Sequence, residues 1–76
     1  MARIKYDVVP IAQGWQVNCN GVAGSPYSEL TDAVLDTLSM ADQLRKQGDT
    51  VEVQLLQLDG TRRVLESRDA PLYARR

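Results

Sequence analysis

"KYDVVPIAQGWQVNC", residues Lys5 to Cys19, packs a run of β-branched residues, a proline, a turn and the chain's single tryptophan into one short stretch, and its reading decides the fold. Ile4, Tyr6 and Val8 alternate with Lys5 and Asp7, the period-two pattern of a strand with one buried face. Pro10, which has no N–H to give to a ladder, marks its end. Gln13-Gly14 reads as a turn. Beyond it Trp15, Val17 and Cys19 alternate with Gln16, Asn18 and Asn20 until "NGVAGSP" breaks the pattern, so the stretch predicts two strands paired as a hairpin.

From Ser28 the period changes. Leu30, Ala33, Val34, Leu38, Ala41 and Leu44 recur at steps of three and four, the stripe of an amphipathic helix of about five turns. Ser28 is placed to cap its start and Gly48 to supply a left-handed stop. Glu29 and Asp32 in the first turn, with Arg45 and Lys46 in the last, complement the helix dipole. Val51, Val53 and Leu55 then alternate with Glu52 and Gln54, Asp59-Gly60 is a strong hairpin signal, and "RRVLES" returns as a last short strand. The order is ββαββ. It predicts an α+β domain: an antiparallel four-stranded sheet with one helix packed on one face. Residues 1–76 read as a single small domain, with a loosely held tail from about residue 70 that carries Pro71 and two terminal arginines.

Composition narrows the function. A single core built from 76 residues supplies only a few kcal/mol of net stability, so a partner, most simply a second copy, is expected. Nine basic and ten acidic residues leave a net charge of -1, which disfavours nonspecific nucleic-acid binding. Cys19 is the only cysteine and histidine is absent, so an internal disulfide and a thiolate-imidazole zinc site are both excluded, and neither metal nor cofactor is expected. A serine or threonine nucleophile would lack a base, which argues against an enzyme. Lys5 and Asp7 interrupt the apolar N-terminal stretch, so neither a signal-peptide core nor a membrane span can be drawn through it, and a cytoplasmic protein without a membrane partner is predicted.

One helix covers one sheet face. If Ile4, Tyr6, Val8, Trp15, Val17, Val51, Val53 and Leu55 meet it, the other face displays Val9, Gln16, Asn18, Gln54, Leu56 and Leu58, a mixture of amides and aliphatic groups. These six are the candidate interface. Trp15 could stack on a base, but a core tryptophan under the helix is the simpler reading. Cys19 has no activating neighbour and reads as a small buried or half-buried hydrophobe. Glu29, Asp32 and Asp36 fall opposite the apolar stripe, as a solvated helix face would. Arg62, Arg63 and Arg68 could clamp phosphates, yet Glu52, Asp59, Glu66 and Asp69 share that half of the chain and cancel much of the field. The sequence therefore predicts a non-enzymatic protein-interaction module, acting as a homodimer or docking on a protein partner through the open sheet face. The alternative is nucleic-acid binding through that face and the three arginines.

With the elements placed, "YDVVP" from Tyr6, "GWQV" from Gly14, a helix with Ala33 near its start and "DGT" from Asp59 resemble the pattern of a family of small bacterial proteins of unknown function. Its members share an aromatic-x-V-V-P strand, a G-W-x-V strand, one helix and a closing hairpin around Asp-Gly. The resemblance spans nearly the whole chain and implies the same α+β architecture. It implies no catalytic residues.

Overall fold

The computed structural model describes residues 2–74. Five strands and one long helix make two layers: β1 (Arg3–Ile11), β2 (Gly14–Cys19), β3 (Val22–Tyr27), α1 (Leu30–Lys46), β4 (Thr50–Leu56) and β5 (Arg62–Leu65). A 3-10 turn at Ser67–Asp69 and a short helix, α2 (Ala70–Tyr73), close the described chain. The α+β class with one main helix holds, but the sheet has five strands rather than four and is mixed rather than antiparallel, in the order β3-β2-β1-β4-β5.

The added strand is β3. Asn20 and Gly21 both have positive φ, 51° and 82°, as a two-residue type I′ turn requires, so the segment that breaks the alternation instead folds back beside β2. Trp15 pairs with Tyr27 and Cys19 with Val22, and between them β3 carries one extra residue, a bulge. Two glycines permit the close approach: a side-chain carbon on Gly14 would run into the Tyr27 carbonyl oxygen, and one on Gly24 into the Val17 carbonyl oxygen.

A third strand before the helix also reverses the geometry after it. β3 runs in the direction of β1, α1 carries the chain back across the sheet, and β4 therefore lies parallel to β1, with Ile4 opposite Val51, Tyr6 opposite Val53 and Val8 opposite Leu55. The strand continues through Pro10 to Ile11. Asn20 donates its N–H to the Lys5 carbonyl, which assigns odd-numbered β1 residues to bonding with β2. The Pro10 nitrogen thus faces the β4 side, where pairing has already stopped at Val8, and no ladder bond is lost.

The core forms between the sheet and α1. Val8, Val17, Val51, Val53, Leu55 and Leu65 come from the strands, and Ala33, Val34, Leu38 and Ala41 from the helix, all buried. Ile4, Tyr6, Trp15, Leu30 and Leu44 pack around them half-buried, so Trp15 and Tyr6 lie on the helix-covered side as expected. Thr37 is the polar member of the stripe; its hydroxyl donates to the Ala33 carbonyl at 2.7 Å and leaves no unmet bond. At the helix end Gly48 (φ 98°) donates to Arg45 O and Asp49 to Leu44 O, the paired bonds of a Schellman stop. The start differs from expectation: Glu29, not Ser28, is the cap residue and no side chain caps the helix, because Ser28 is still completing the exit from β3. Ala70 and Tyr73 pack against the core, and the Ser67 hydroxyl donates to Asp42 of α1. The two terminal arginines, residues 75 and 76, lie outside the described residues.

Candidate interface on the open sheet face

Strand alternation and register decide which side chains share the uncovered face. β2 and β4 both pair with β1, so Asn18, Asp7 and Gln54 stand side by side across the three central strands, extended by Ala23 on β3 and Val64 on β5. In the next row Val9 lies opposite Gln16, with Pro26 beyond it, and Leu56 lies opposite Arg62 one step further along β4. Five of the six expected residues, Val9, Gln16, Asn18, Gln54 and Leu56, are therefore together on one surface. Leu58 is not: β4 ends at Leu56, and Leu58 falls in the β4–β5 turn with 81% of its surface exposed.

The centre of the face is a carboxylate that the candidate set omitted. Asp7 retains only 18% of its side-chain exposure and pairs with Arg62 at 3.3 Å. The amides beside it are incompletely bonded. Gln54 donates through Nε2 to Glu52 at 3.2 Å, yet its Oε1, like Oδ1 of Asn18, is shielded from solvent and has no hydrogen-bond partner among the described residues. Shielding an acceptor without a donor costs about 1–3 kcal/mol, so this row is the least satisfied polar region of the surface. Gln16 Nε2 reaches the Gly24 carbonyl at 3.4 Å, at the long end of a hydrogen bond. Val64, another residue absent from the candidate set, adds an aliphatic side chain with half its surface exposed. Its strand is short and its flanking arginines mask the alternation, whereas Asp7 was legible from its position between Tyr6 and Val8.

At the end of the face where β1 and β4 begin, Arg3, Ile4, Lys5, Asn20, Thr50 and Glu52 line an open cleft of about 480 Å³. The face as a whole mixes signs. Arg3, Lys5 and Arg62 are balanced in part by Asp7 and Glu52, and Lys5 lies directly opposite Glu52 in the register.

The three candidate phosphate-binding arginines are not brought together. Arg62 is on the open face with Asp7; Arg63, opposite Leu55, emerges on the helix side and pairs with Asp69 at 3.9 Å; Arg68 sits in the 3-10 turn and pairs with Glu66 at 3.0 Å. The acidic residues Glu29, Asp32 and Asp36 are exposed along α1. Burial, then the hydrogen bond with Asp36 and the charges of Asp36 and Asp32, push the Tyr27 hydroxyl above the usual tyrosine range. Tyr6 is raised by burial and by Cys19, its cross-strand neighbour on the covered face. Among the described residues no group of three histidine, cysteine or acidic side chains is placed to hold a metal ion, and no helix is long and apolar enough to cross a membrane.

The chain matches no protein-family model, and comparison with curated proteins and with solved structures gives no significant match in either.

Proposed function

We propose that this protein is a non-enzymatic interaction module that docks on protein through its open sheet face. One observation carries the reading: the face left uncovered by α1 sets the aliphatic side chains of Val9, Leu56 and Val64 beside the amides of Gln16, Asn18 and Gln54. A protein surface, which mixes apolar and polar groups in the same way, supplies the apolar contact that the aliphatic groups of this face lack. Nucleic-acid binding has less support, since Arg62, Arg63 and Arg68 point to three different places and each is paired with a carboxylate. The absence of histidine from the chain favours a binding role over acid–base catalysis. The resemblance to the small bacterial family adds architecture to this reading and no chemistry.

The test is photo-crosslinking in the native host. A photoreactive side chain replaces Gln54 on the open face or, as control, Met40 on the outer surface of α1. The reading expects a discrete protein adduct from position 54 and none from position 40. Adducts with nucleic acid, or equal labelling from both positions, would refute it.

A further inference from the structure

We infer that the cleft at the end of the sheet where β1 and β4 begin is a binding site for a carboxylate with a hydrogen-bond donor on its α-carbon: an acylated amino acid, a hydroxy acid or the C-terminal end of a peptide. It does not depend on the docking reading, which rests on other residues of the face.

The cations of the cleft are left without partners. Arg3 and Lys5 share one side of β1, and the parallel register puts Thr50 beside Arg3 and Glu52 beside Lys5. With Ile4 and Asn20 they line an open cleft of about 480 Å³, inside the range of about 300–1,000 Å³ usual for small-molecule sites. Arg45, Arg62, Arg63 and Arg68 each pair with a carboxylate, whereas Arg3 and Lys5 make no ion pair among the described residues, although a carboxylate lines the same cleft.

Glu52 is held elsewhere. Its Oε2 accepts from Gln54 Nε2, on the same strand, at 3.2 Å, so the carboxylate is not closed onto Lys5 across the strands. The cleft therefore keeps its charges apart, cations on β1 and an anion on β4. A ligand carboxylate serves the Arg3 guanidinium and the Lys5 ammonium through charge-assisted bonds. A donor on the adjacent carbon meets Glu52, whose Oε1 remains an acceptor.

Neutral donors complete the set. The Lys5 N–H donates to Asn20 Oδ1 at 2.8 Å, which orients that amide and leaves its NH₂ group to give, and the Thr50 hydroxyl is a second donor. Two cations against one carboxylate match a monoanion. A phosphate dianion would be set beside Glu52 with more negative charge than the cleft balances.

The experiment follows the backbone amides of the full chain by heteronuclear NMR at neutral pH and low salt, during titration with acetate, N-acetylglycine, acetyl-trialanine and C-terminally amidated acetyl-trialanine. N-acetylglycine should shift the amides of Arg3 to Lys5, Asn20 and Thr50 to Glu52 along one saturable curve, with a dissociation constant of about 1–10 mM. Acetate should bind at least about 5-fold more weakly for want of the second bond, and the amidated peptide should give no shift. Arg3, Lys5 and Glu52 are exposed, so their variants should keep the wild-type spectrum elsewhere. Arg3→Gln and Lys5→Gln should each weaken N-acetylglycine by about 10-fold, and Arg68→Gln should change nothing. Glu52→Ala should abolish the preference for N-acetylglycine over acetate while acetate itself binds at least as well. Acetyl-trialanine tighter than N-acetylglycine assigns the site to the end of a polypeptide, and equal binding assigns it to a free small acid; both keep the inference. No saturable shift up to about 50 mM, equal shifts around Arg45 and Arg68, or an unchanged preference in Glu52→Ala would overturn it.

Discussion

Leu65 gives the sharpest test of how β5 is attached. It is the one buried side chain of that four-residue strand, 1% exposed, and it lies opposite Val53 beneath the helix. Leu65→Ala removes three carbons from a fully buried site, about 2.4 kcal/mol by transfer alone at about 0.8 kcal/mol per methylene. A residual cavity brings the loss to about 3 kcal/mol or more. At roughly 0.05–0.15 kcal/mol per residue a chain of this length has about 4–11 kcal/mol in all, so this single truncation consumes a large part of it. With an unfolding entropy of roughly 2.1 cal/mol/K per residue, the midpoint should fall by about 15–20 °C. Val64→Ala is the matched control: its neighbour on the same strand points to the open face and is 53% exposed, so in the monomer it should cost about 0.5 kcal/mol or less. Both are measured by urea and thermal unfolding at low micromolar concentration. Equal losses, or the reverse order, would show that the two faces of β5 have been assigned the wrong way round.

Gly14→Ala should detach β3, because the new methyl group meets the Tyr27 carbonyl and the residue sits at φ 141°; amide exchange across Val22–Tyr27 should accelerate by at least about 10-fold while the β1–β4 amides stay protected. In the β4–β5 turn the Thr61 hydroxyl and N–H both donate to Asp59, at 2.7 and 2.9 Å, and hold its pKa below the usual aspartate value. A folded-state pKa below the unfolded value means that this turn stabilises the fold above the ordinary aspartate range and loses that contribution as the pH falls through the lowered pKa. Thr61→Val should therefore move the Asp59 carboxyl titration, followed by NMR, upward toward the ordinary aspartate value; an unchanged titration would mean that the hydroxyl is not a donor to it.

The strands that carry an apolar face were legible. Ile4, Tyr6 and Val8 against Val51, Val53 and Leu55, and the helix stripe from Leu30 to Leu44, alternate or recur as they do because each buries one side against the other layer. β3 has no such signal: Val22 to Pro26 are all exposed at the sheet edge, with a bulge in the middle and Gly24 and Pro26 within the strand. What did signal it was Asn20-Gly21, the strongest short hairpin turn. Missing that strand also meant missing the parallel pairing, since the number of strands before the helix sets the direction of the strand after it. The candidate face followed from alternation alone and so included Val9, Gln16, Asn18, Gln54 and Leu56. Leu58 was lost because nothing in the alternation shows that Gln57 N–H bonds to Thr61 O and turns the chain there. The separation of Arg62, Arg63 and Arg68 is a matter of strand phase and of the 3-10 turn that follows, and no sequence spacing expresses it.

The parallel β1–β4 pairing also dictates an order of events in the newly made chain. Arg3 pairs with Thr50, and the Ala2 N–H is held by the Asp49 side chain across 47 positions, so β1 has no neighbour on one side until Thr50–Leu56 has been made. The β1–β3 meander that emerges first has an apolar face and nothing to lay it on. Loop closure over that distance has its entropy cost before any core contact returns it, and the first-made half must wait, unfolded or held, for the helix and β4. A chain ending before Val51 holds β1–β3 and α1 but lacks the strand that pairs β1 on its other side, so it leaves that edge and part of the core open rather than forming a smaller version of the domain.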